Sequence, residues 1–369
     1  MEFTPYPQEN PLEKRPLPDL PLEVIVEILS RLPVKPLLQF RCVSKSWHSL
    51  ISDPKFVKAH LKLASVSTDY THHILLLSSI MDRKLNLKSC SVSSILHEQS
   101  DTTAVTLHHP FDDPRYIVSI RFIGFRGSCN GLLCIMRFMR SDSSECTLHI
   151  WNPATRKSKK LPVLEMAKTE YITTYGFGYD DSIDDYKVVV ILACGFGYDD
   201  SIDDYKVVVI LGDCDGISRV IDKGVLEVYT LRTDSWRRIG DCPPLAQSDG
   251  VFVNGALHWT SLDCNSIVSL DLAKETFGEF LLPNYDRDCC WEFTLGVLSG
   301  WLCALPHIDD FVEVWVMKDY GVGESWTKLI KIPYLTTSGG DYSVPFFLLK
   351  NNGVVMEDGK NIVRYCPKD

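Results

Sequence analysis

Near the start of the chain the apolar positions recur at helical spacing. Between Leu20 and Leu61, Val24, Ile25, Ile28, Leu29 and Leu32 fall at i, i+3 and i+4, with Glu23, Glu27, Ser30 and Arg31 on the polar side. The pattern predicts a first helix opening at Pro21, where a missing N–H costs nothing. Pro33 should end it, because proline disfavours helical geometry in the residue before it. Pro36 is expected to open a short second helix carrying Leu37, Leu38 and Phe40. Ser44 is the expected N-cap of a third, with Trp47, Leu50 and Ile51 on one face. Asp53-Pro54 should start a fourth, with Val57 and Leu61 one turn apart. After about residue 70 short β-type runs take over. His73–Ser78 and Leu85–Cys90 read as a hairpin, and 91–115 as loop with one short strand at Ala104–Leu107.

From residue 128 onward a degenerate repeat appears. One half is a small turn entering a strand: Cys129-Asn130-Gly131-Leu132, Val253-Asn254-Gly255-Ala256, Ser299-Gly300-Trp301 and Asn352-Gly353-Val354. The other half is a strand running into a polar turn, as at Leu148–Thr155, Leu226–Trp236, Val268–Leu272, Val312–Met317 and Ile362–Tyr365. Sheets recurring every ~40–50 residues are the mark of a β-propeller. A large β-sandwich with similar turns is the alternative.

Composition narrows the function. The 369 residues are 45% hydrophobic and 11% aromatic, ample for a core, and carry a net charge of −10. Residues 1–60 hold 8 Lys/Arg and 7 Asp/Glu, so the excess negative charge lies beyond them. An acidic main domain argues against nucleic-acid binding, which needs a basic surface. It suits a basic protein partner, and equally a merely soluble surface. Residues 1–18 are polar and proline-rich, without a signal-peptide core, and read as a disordered lead-in. No apolar run approaches the ~18 residues that span a bilayer. Thirteen scattered cysteines without a secretory signal suggest reduced thiols in the cytoplasm or nucleus. About forty helical residues with this much apolar surface rarely stabilise themselves. Their outer face should cover either the rest of the chain or another protein.

The residues favour another protein. Leu20-Pro21-x-Glu23, Ile28-Leu29-x-x-Leu32-Pro33-Val34-Lys35, Leu38, Phe40-Arg41-Cys42-Val43-Ser44-Lys45-x-Trp47 and Leu50-Ile51 resemble the F-box nearly position by position. The resemblance implies docking on a Skp-type adaptor, and through it on the cullin and RING subunits of a ubiquitin ligase. The contacts it implies are Leu20, Pro21, Ile25, Ile28, Leu29, Leu32, Leu38, Cys42, Val43 and Trp47. A second resemblance spans about residues 125–335. Gly131-Leu132-Leu133, Trp151-Asn152-Pro153-Ala154-Thr155-Arg156, Gly176-Phe177-Gly178-Tyr179-Asp180, Asp185-Tyr186-Lys187-Val188-Val189, Ser235-Trp236-Arg237, Asn254-Gly255-x-Leu257-His258-Trp259 and Ser325-Trp326 are similar to the F-box-associated domain of plant F-box proteins. That domain is a kelch-like substrate receptor in its family.

The expected architecture is therefore an α+β multidomain chain. A helical F-box domain over 19–63 precedes an all-β, propeller-like domain over 70–369. The expected role is a non-catalytic receptor that holds a target protein for ubiquitination, with no cofactor, metal, nucleic acid or membrane involved. A scaffold that binds the adaptor but delivers no target is an alternative, as is a propeller hydrolase with a helical cap. Pollen S-locus-type, defence-regulating and hormone-related roles are all compatible, and the substrate-binding residues stay unassigned.

Two features depart from the family. Gly176–Leu192, GFGYDDSIDDYKVVVIL, recurs without change at Gly195–Leu211. An unchanged copy signals a recent duplication or an error in the gene model. One copy should fill the family's strand, and the other should loop out or form a hairpin with arms Tyr186–Leu192 and Tyr205–Leu211. In addition, the sequence stops soon after the strand at Tyr365, where family members run on, which puts closure of the propeller in doubt.

Other chemistry is weaker. Gly127-Ser128-Cys129-Asn130-Gly131 has the spacing of a nucleophile elbow, but a strand pattern follows where that motif needs a helix. Asp180, Asp181, Asp184 and Asp185 lack the alternation and glycine of a calcium loop and read as solvated turn residues. Gly176-Phe177-Gly178 has no lysine or helix start after it, so it is no phosphate loop. The ten histidines show no metal spacing. Trp151, Trp236, Trp259, Trp315 and Trp326 read as sheet core.

Overall fold

The computed structural model describes residues 20–66, 72–81, 84–96, 104–110, 120–139, 146–162, 173–193, 195–199, 204–208, 220–221, 224–243, 245–246, 250–261, 265–286, 290–333, 345, 347–349, 353–358 and 361–366. The expected lead-in over 1–18 lies outside the described residues. The chain divides into two compact units, Met1–Ser78 with Leu87–Leu107 and Ser79–Asn86 with His108–Asp369.

Four helices open the first unit: α1 (Leu22–Ser30), α2 (Val34–Phe40), α3 (Lys45–Ser52) and α4 (Pro54–Val66). Two prolines sit one and two positions away from their expected places. Pro21 has ψ 143°, outside the helix, and caps α1 with its carbonyl, which accepts from the N–H groups of Val24 and Ile25 at 3.0 and 3.1 Å. Pro33 both follows α1 and caps α2, so Pro36 lies inside the first turn of α2 and does not open it. Either place tolerates proline, since the first N–H groups of a helix have no intrahelical partner. Ser44 caps α3 as expected, its Oγ accepting from Trp47 N–H at 3.1 Å. Asp53 caps α4, with Oδ1 accepting from Lys55 N–H at 2.7 Å.

The α4 face differs from expectation. Val57 is exposed, and Phe56 and His60 point inward. The polar residue is accommodated because His60 stacks on Phe56 and its Nε2 bonds the Leu32 carbonyl at 2.8 Å. Next come β1 (Ile74–Met81), β2 (Lys84–Ser91), a short helix α5 (Val92–Leu96) where loop was expected, and β3 (Val105–Leu107). The strands form one sheet in the order β1-β2-β3.

The second unit is a β-propeller of antiparallel meanders. The first contains β4 (Ile120–Cys129), β5 (Leu132–Met139), β6 (Cys146–Asn152) and β7 (Lys157–Lys160). The second contains β8 (Thr173–Asp180) and β9 (Asp185–Ala193). A separate hairpin of β10 (Gly195–Asp199) and β11 (Asp204–Val208) follows, then the short β12 (Val220–Ile221), before the meander resumes with β13 (Gly224–Thr230) and β14 (Ser235–Cys242). After β15 (Leu245–Ala246), which pairs with β12, the third meander is β16 (Val251–Val253), β17 (Ala256–Thr260), β18 (Ser266–Asp271) and β19 (Thr276–Leu281). The fourth is β20 (Cys290–Leu298), β21 (Trp301–Ile308), β22 (Phe311–Met317) and β23 (Trp326–Pro333). A three-stranded sheet, β24 (Phe347–Leu348), β25 (Val354–Asp358) and β26 (Asn361–Tyr365), ends the described residues.

The repeated turns explain the meanders. Asn130-Gly131, Asn254-Gly255 and Ser299-Gly300 all have positive φ at both residues, the geometry that matches the twist of a two-residue hairpin. The fourth expected turn is different: Leu349 N–H donates to Gly353 O at 2.7 Å across a longer loop. In the polar turns, Asn152 and Asp271 each accept two backbone N–H groups on one oxygen, at 2.9–3.0 Å.

The core lies between successive sheets. Leu148, Ile150, Phe177 and Tyr229 join the first to the second, and Leu226, Leu257, Trp259 and Leu270 the second to the third. Leu302, Trp315 and Trp326 cover Ile267 of the third, and Val354 and Met356 of the last sheet pack on Val312 and Ile332 of the fourth. Two outer-strand tryptophans also reach back to the preceding sheet. Trp236 Nε1 donates to Pro162 O and Trp326 Nε1 to Leu281 O, both at 2.9 Å. Of the five tryptophans expected in the core, four are buried and Trp236 is half-buried.

Asp180 and Asp185 are buried, contrary to the solvated-turn reading, whereas Asp181 and Asp184 are exposed. Asp185 Oδ2 accepts from Arg232 N–H at 2.6 Å. Asp180 Oδ2 lies 2.7 Å from Lys187 Nζ, which also reaches Glu275 Oε1 at 2.9 Å and Leu272 O at 2.5 Å on the third sheet. Arg237 pairs with the same Glu275. Burial pushes the Asp180 and Glu275 carboxyls upward, but hydrogen bonds from Lys187, Ser182 and Arg237 outweigh it and hold both below the ordinary range. A carboxylate depressed in the fold contributes stability above its unfolded pKa of about 4 and loses it as pH falls through the folded value. Glu275→Ala should cost about 1.5–3 kcal/mol at pH 7, the scale of charged hydrogen bonds. The deficit should shrink as pH drops below about 4, where the carboxylate itself is being protonated. Thermal melts at several pH values check this, and a deficit independent of pH would refute it.

Candidate adaptor-docking surface

The helical unit is built on a small core. Leu29, Leu37, Ile51 and Phe56 are buried, and Ile25, Val26, Leu32, Phe40, Trp47 and Leu50 pack around them. Trp47 meets Phe40 edge-on, with ring centroids 5.7 Å apart. Fixing α3 this way brings the tight turn at Arg41–Val43 into place, closed by Cys42 N–H to Gln39 O and Val43 N–H to Phe40 O at 3.0 and 3.1 Å.

What remains outside is apolar. Pro21, Val24 and Ile28 follow each other at helical spacing along one side of α1, and all are exposed, Ile28 at 49%. Leu20 precedes them, also exposed. Cys42 and Val43 are exposed on their turn, Val43 at 60%. Ile25, Leu32, Leu38 and Trp47 are half-buried, and Ile25, Leu32 and Trp47 pack on the core. Leu29, by contrast, is 1% exposed and lies in the core of the helical unit. Leu22, Val24 and Val34 are exposed apolar residues outside the expected contact set. The signal for Val24 was the run Val24-Ile25-Val26, too wide for one stripe. Its first member faces out and the other two pack on the core. Glu27 and Arg31 pair on the helix flank, Nε to Oε1 at 2.9 Å, and so border the apolar strip with a fixed polar edge.

The cysteine and histidines singled out in the sequence lie in buried surroundings. Cys129 is buried on β4, with strand on both sides of its turn, and burial followed by the nearby Asp181 charge pushes its thiol up to about 12. A thiol that stays protonated at neutral pH is a poor nucleophile. Burial lowers His149, His258 and His307 to about 4. His258 is held on both ring nitrogens, by Val251 O at 3.0 Å and Tyr320 Oη at 2.9 Å. Among the described residues no group of three His, Cys, Asp or Glu could hold a metal ion, and no helix is long and apolar enough to cross a membrane.

A helical module with an uncovered apolar strip, followed by a propeller, defines a class of modular interaction proteins. The family comparisons place this chain within it. Residues 17–59 match the F-box domain and residues 78–369 the F-box associated beta propeller domain. The chain belongs to the F-box proteins with an F-box-associated propeller. The F-box/kelch-repeat protein At3g23880 of Arabidopsis thaliana is 31% identical over 358 residues, covering 94% of this chain and 87% of that protein. The F-box protein CPR1 of the same plant is 29% identical, covering 85% and 73%. A third Arabidopsis relative, the F-box protein At3g07870, is 28% identical, covering 95% and 83%.

Proposed function

We propose that this chain is the substrate-receptor subunit of a Skp–cullin–F-box ubiquitin ligase. Its helical unit docks the Skp-type adaptor and its propeller holds a target protein. The observation that carries this reading is the exposed apolar side chains of Leu20, Pro21, Val24 and Ile28, and of Cys42 and Val43 on the turn before α3, on a unit with its own inner core. Ile25, Leu32, Leu38 and Trp47 complete the docking face from their half-buried positions. Desolvating such a strip against a matching groove yields roughly 25 cal/mol per Å² of apolar area.

The chain performs no chemistry in this reading. Tethering raises the concentration of target lysines near the charged conjugating enzyme, and the rate follows from that proximity. Cys129, buried on β4 with strand on both sides of its turn, supports a non-catalytic role over a hydrolase.

The test is capture of the full-length chain by a purified Skp-type adaptor, beside Ile28→Asp and Val43→Asp variants. A charge driven into a desolvated apolar interface should lower affinity at least 100-fold, since an unpaired buried charge costs several kcal/mol. Both side chains are exposed, so the melting curve should not move. Retained capture by both variants, or none by the folded wild type, would sink the proposal.

A further inference from the structure

The duplicated segment occupies two different environments. The first copy is built into the second sheet: β8 pairs β9 from Gly176↔Val189 to Asp180↔Asp185, and β9 pairs β13. The second copy forms β10 and β11, paired from Gly195↔Val208 to Asp199↔Asp204. Each of these partners is the first copy's partner plus 19, so the two hairpins have the same register. Among the described residues the expected hairpin between Tyr186–Leu192 and Tyr205–Leu211 is absent, because β9 is already bonded on both edges, to β8 and β13; residues 209–211 lie outside the described residues.

We propose that the two copies compete for one place in the propeller, so that the chain has two native threadings. Most of the groups that seat the first copy are present in the second. Phe177 is buried in the core shared with the first sheet. Gly176 and Gly178 let β8 approach Leu257, Phe252 and Leu272 of the neighbouring sheet so closely that a Cβ on either would overlap those side chains. Asp180 and Lys187 form the buried ion cluster with Glu275. All of these groups recur unchanged at Phe196, Gly195, Gly197, Asp199 and Lys206. What the second copy lacks is the start of β8: Leu192-Ala193-Cys194 would stand in for Thr173-Thr174-Tyr175, and Gly212 for Ala193.

Chain connectivity does not choose between the threadings. With the first copy seated, the connections are 161–172 before β8 and 194–223 after β9, 12 and 30 residues. With the second seated they become 161–191 and 213–223, 31 and 11 residues. Closure cost grows with the logarithm of loop length, so the long and short loops exchange places at almost no net cost. Both connections leave the same end of the second sheet, because they join its first strand to the preceding sheet and its second strand to its third. Exchange would therefore move the surplus hairpin from the middle of that sheet to the gap before it, and change which surface that end presents.

The test uses the full-length chain with Gly178→Val in one variant and Gly197→Val in the other. Each substitution also gives the two copies different masses, so hydrogen exchange read by mass spectrometry follows them separately. In both variants the unsubstituted copy should be the protected one, exchanging ~100-fold more slowly than the substituted copy, with the cooperative thermal transition retained. The double variant should lose that transition, because neither copy then fits against Phe252 and Leu272. Continued protection of the substituted copy in the Gly178→Val variant would overturn the proposal. So would loss of the transition in that variant alone, or a double variant that melts like wild type.

Discussion

Leu29→Ala is expected to unfold the helical unit and with it abolish adaptor capture, although Leu29 lies in the core of that unit. The side chain is 1% exposed and sits among Leu37, Ile51 and Phe56, with Ile25, Leu32 and Trp47 around them. Truncating a buried leucine costs about 2–5 kcal/mol, more where the cavity cannot collapse. Four fully buried apolar side chains make a small core, and small units have little stability to lose. The neighbouring Ile28 is the control. Ile28 is half-exposed, so Ile28→Ala should leave the fold intact and weaken capture by an amount set by apolar area alone. Circular dichroism at 222 nm, where helix dominates the signal, distinguishes the two. Equal loss of helix in both variants, or in neither, would contradict this division between the core and the docking face.

That division was only partly legible in the sequence. Helical periodicity marks which residues are apolar, and it gives the four helices, the Ser44 and Asp53 caps and the stop between α1 and α2. It does not say which of two adjacent apolar positions faces inward. Leu29 matched the motif as well as Ile28 did, and only packing against Leu37 and Phe56 places one inside and the other outside. The same gap explains α4. His60 reads as polar in a pattern of apolar positions, yet it faces inward because the Leu32 carbonyl gives its ring a partner.

In the propeller, the Asn-Gly and Ser-Gly steps gave the hairpins and their spacing, because a two-residue turn with positive φ at both positions has few sequences that fit it. Long-range partners were out of reach of any local pattern. Nothing around Asp180 announces Lys187 and Glu275, 95 residues apart from end to end of the cluster, so its carboxylate looked like a surface group. The duplication was visible as a repeat, but the identity of the two copies left no local signal for which one pairs with β13; in the structure it is β9 of the first copy.

Trp259→Ala is expected to be the most damaging single change in the propeller. Trp259 lies on β17, fully buried in the core between the second and third sheets, against Leu226, Val228, Leu257 and Leu270. The chain at Gly250 passes so close to the indole that a Cβ there would lie 2.6 Å from Cζ2, so glycine makes the room that the large ring uses. Removing that ring leaves a cavity bounded by strands held in ladders on both sides, β16 and β18, which cannot move in to fill it. Truncations of this kind cost about 3–5 kcal/mol. In a unit of this size each kcal/mol lowers the melting temperature by roughly 2–4 °C, so a fall of about 6–20 °C should follow. Trp259→Phe should do much less harm than loss of ring volume alone implies. The indole Nε1 has no hydrogen-bond partner among the described residues, and phenylalanine removes that unpaired buried donor together with the second ring. Differential scanning calorimetry of the three proteins reads the order directly: wild type highest, Trp259→Phe close below, Trp259→Ala far below. A Trp259→Phe variant as unstable as Trp259→Ala would mean that the indole nitrogen is satisfied and holds the two sheets together through a bond rather than through packing.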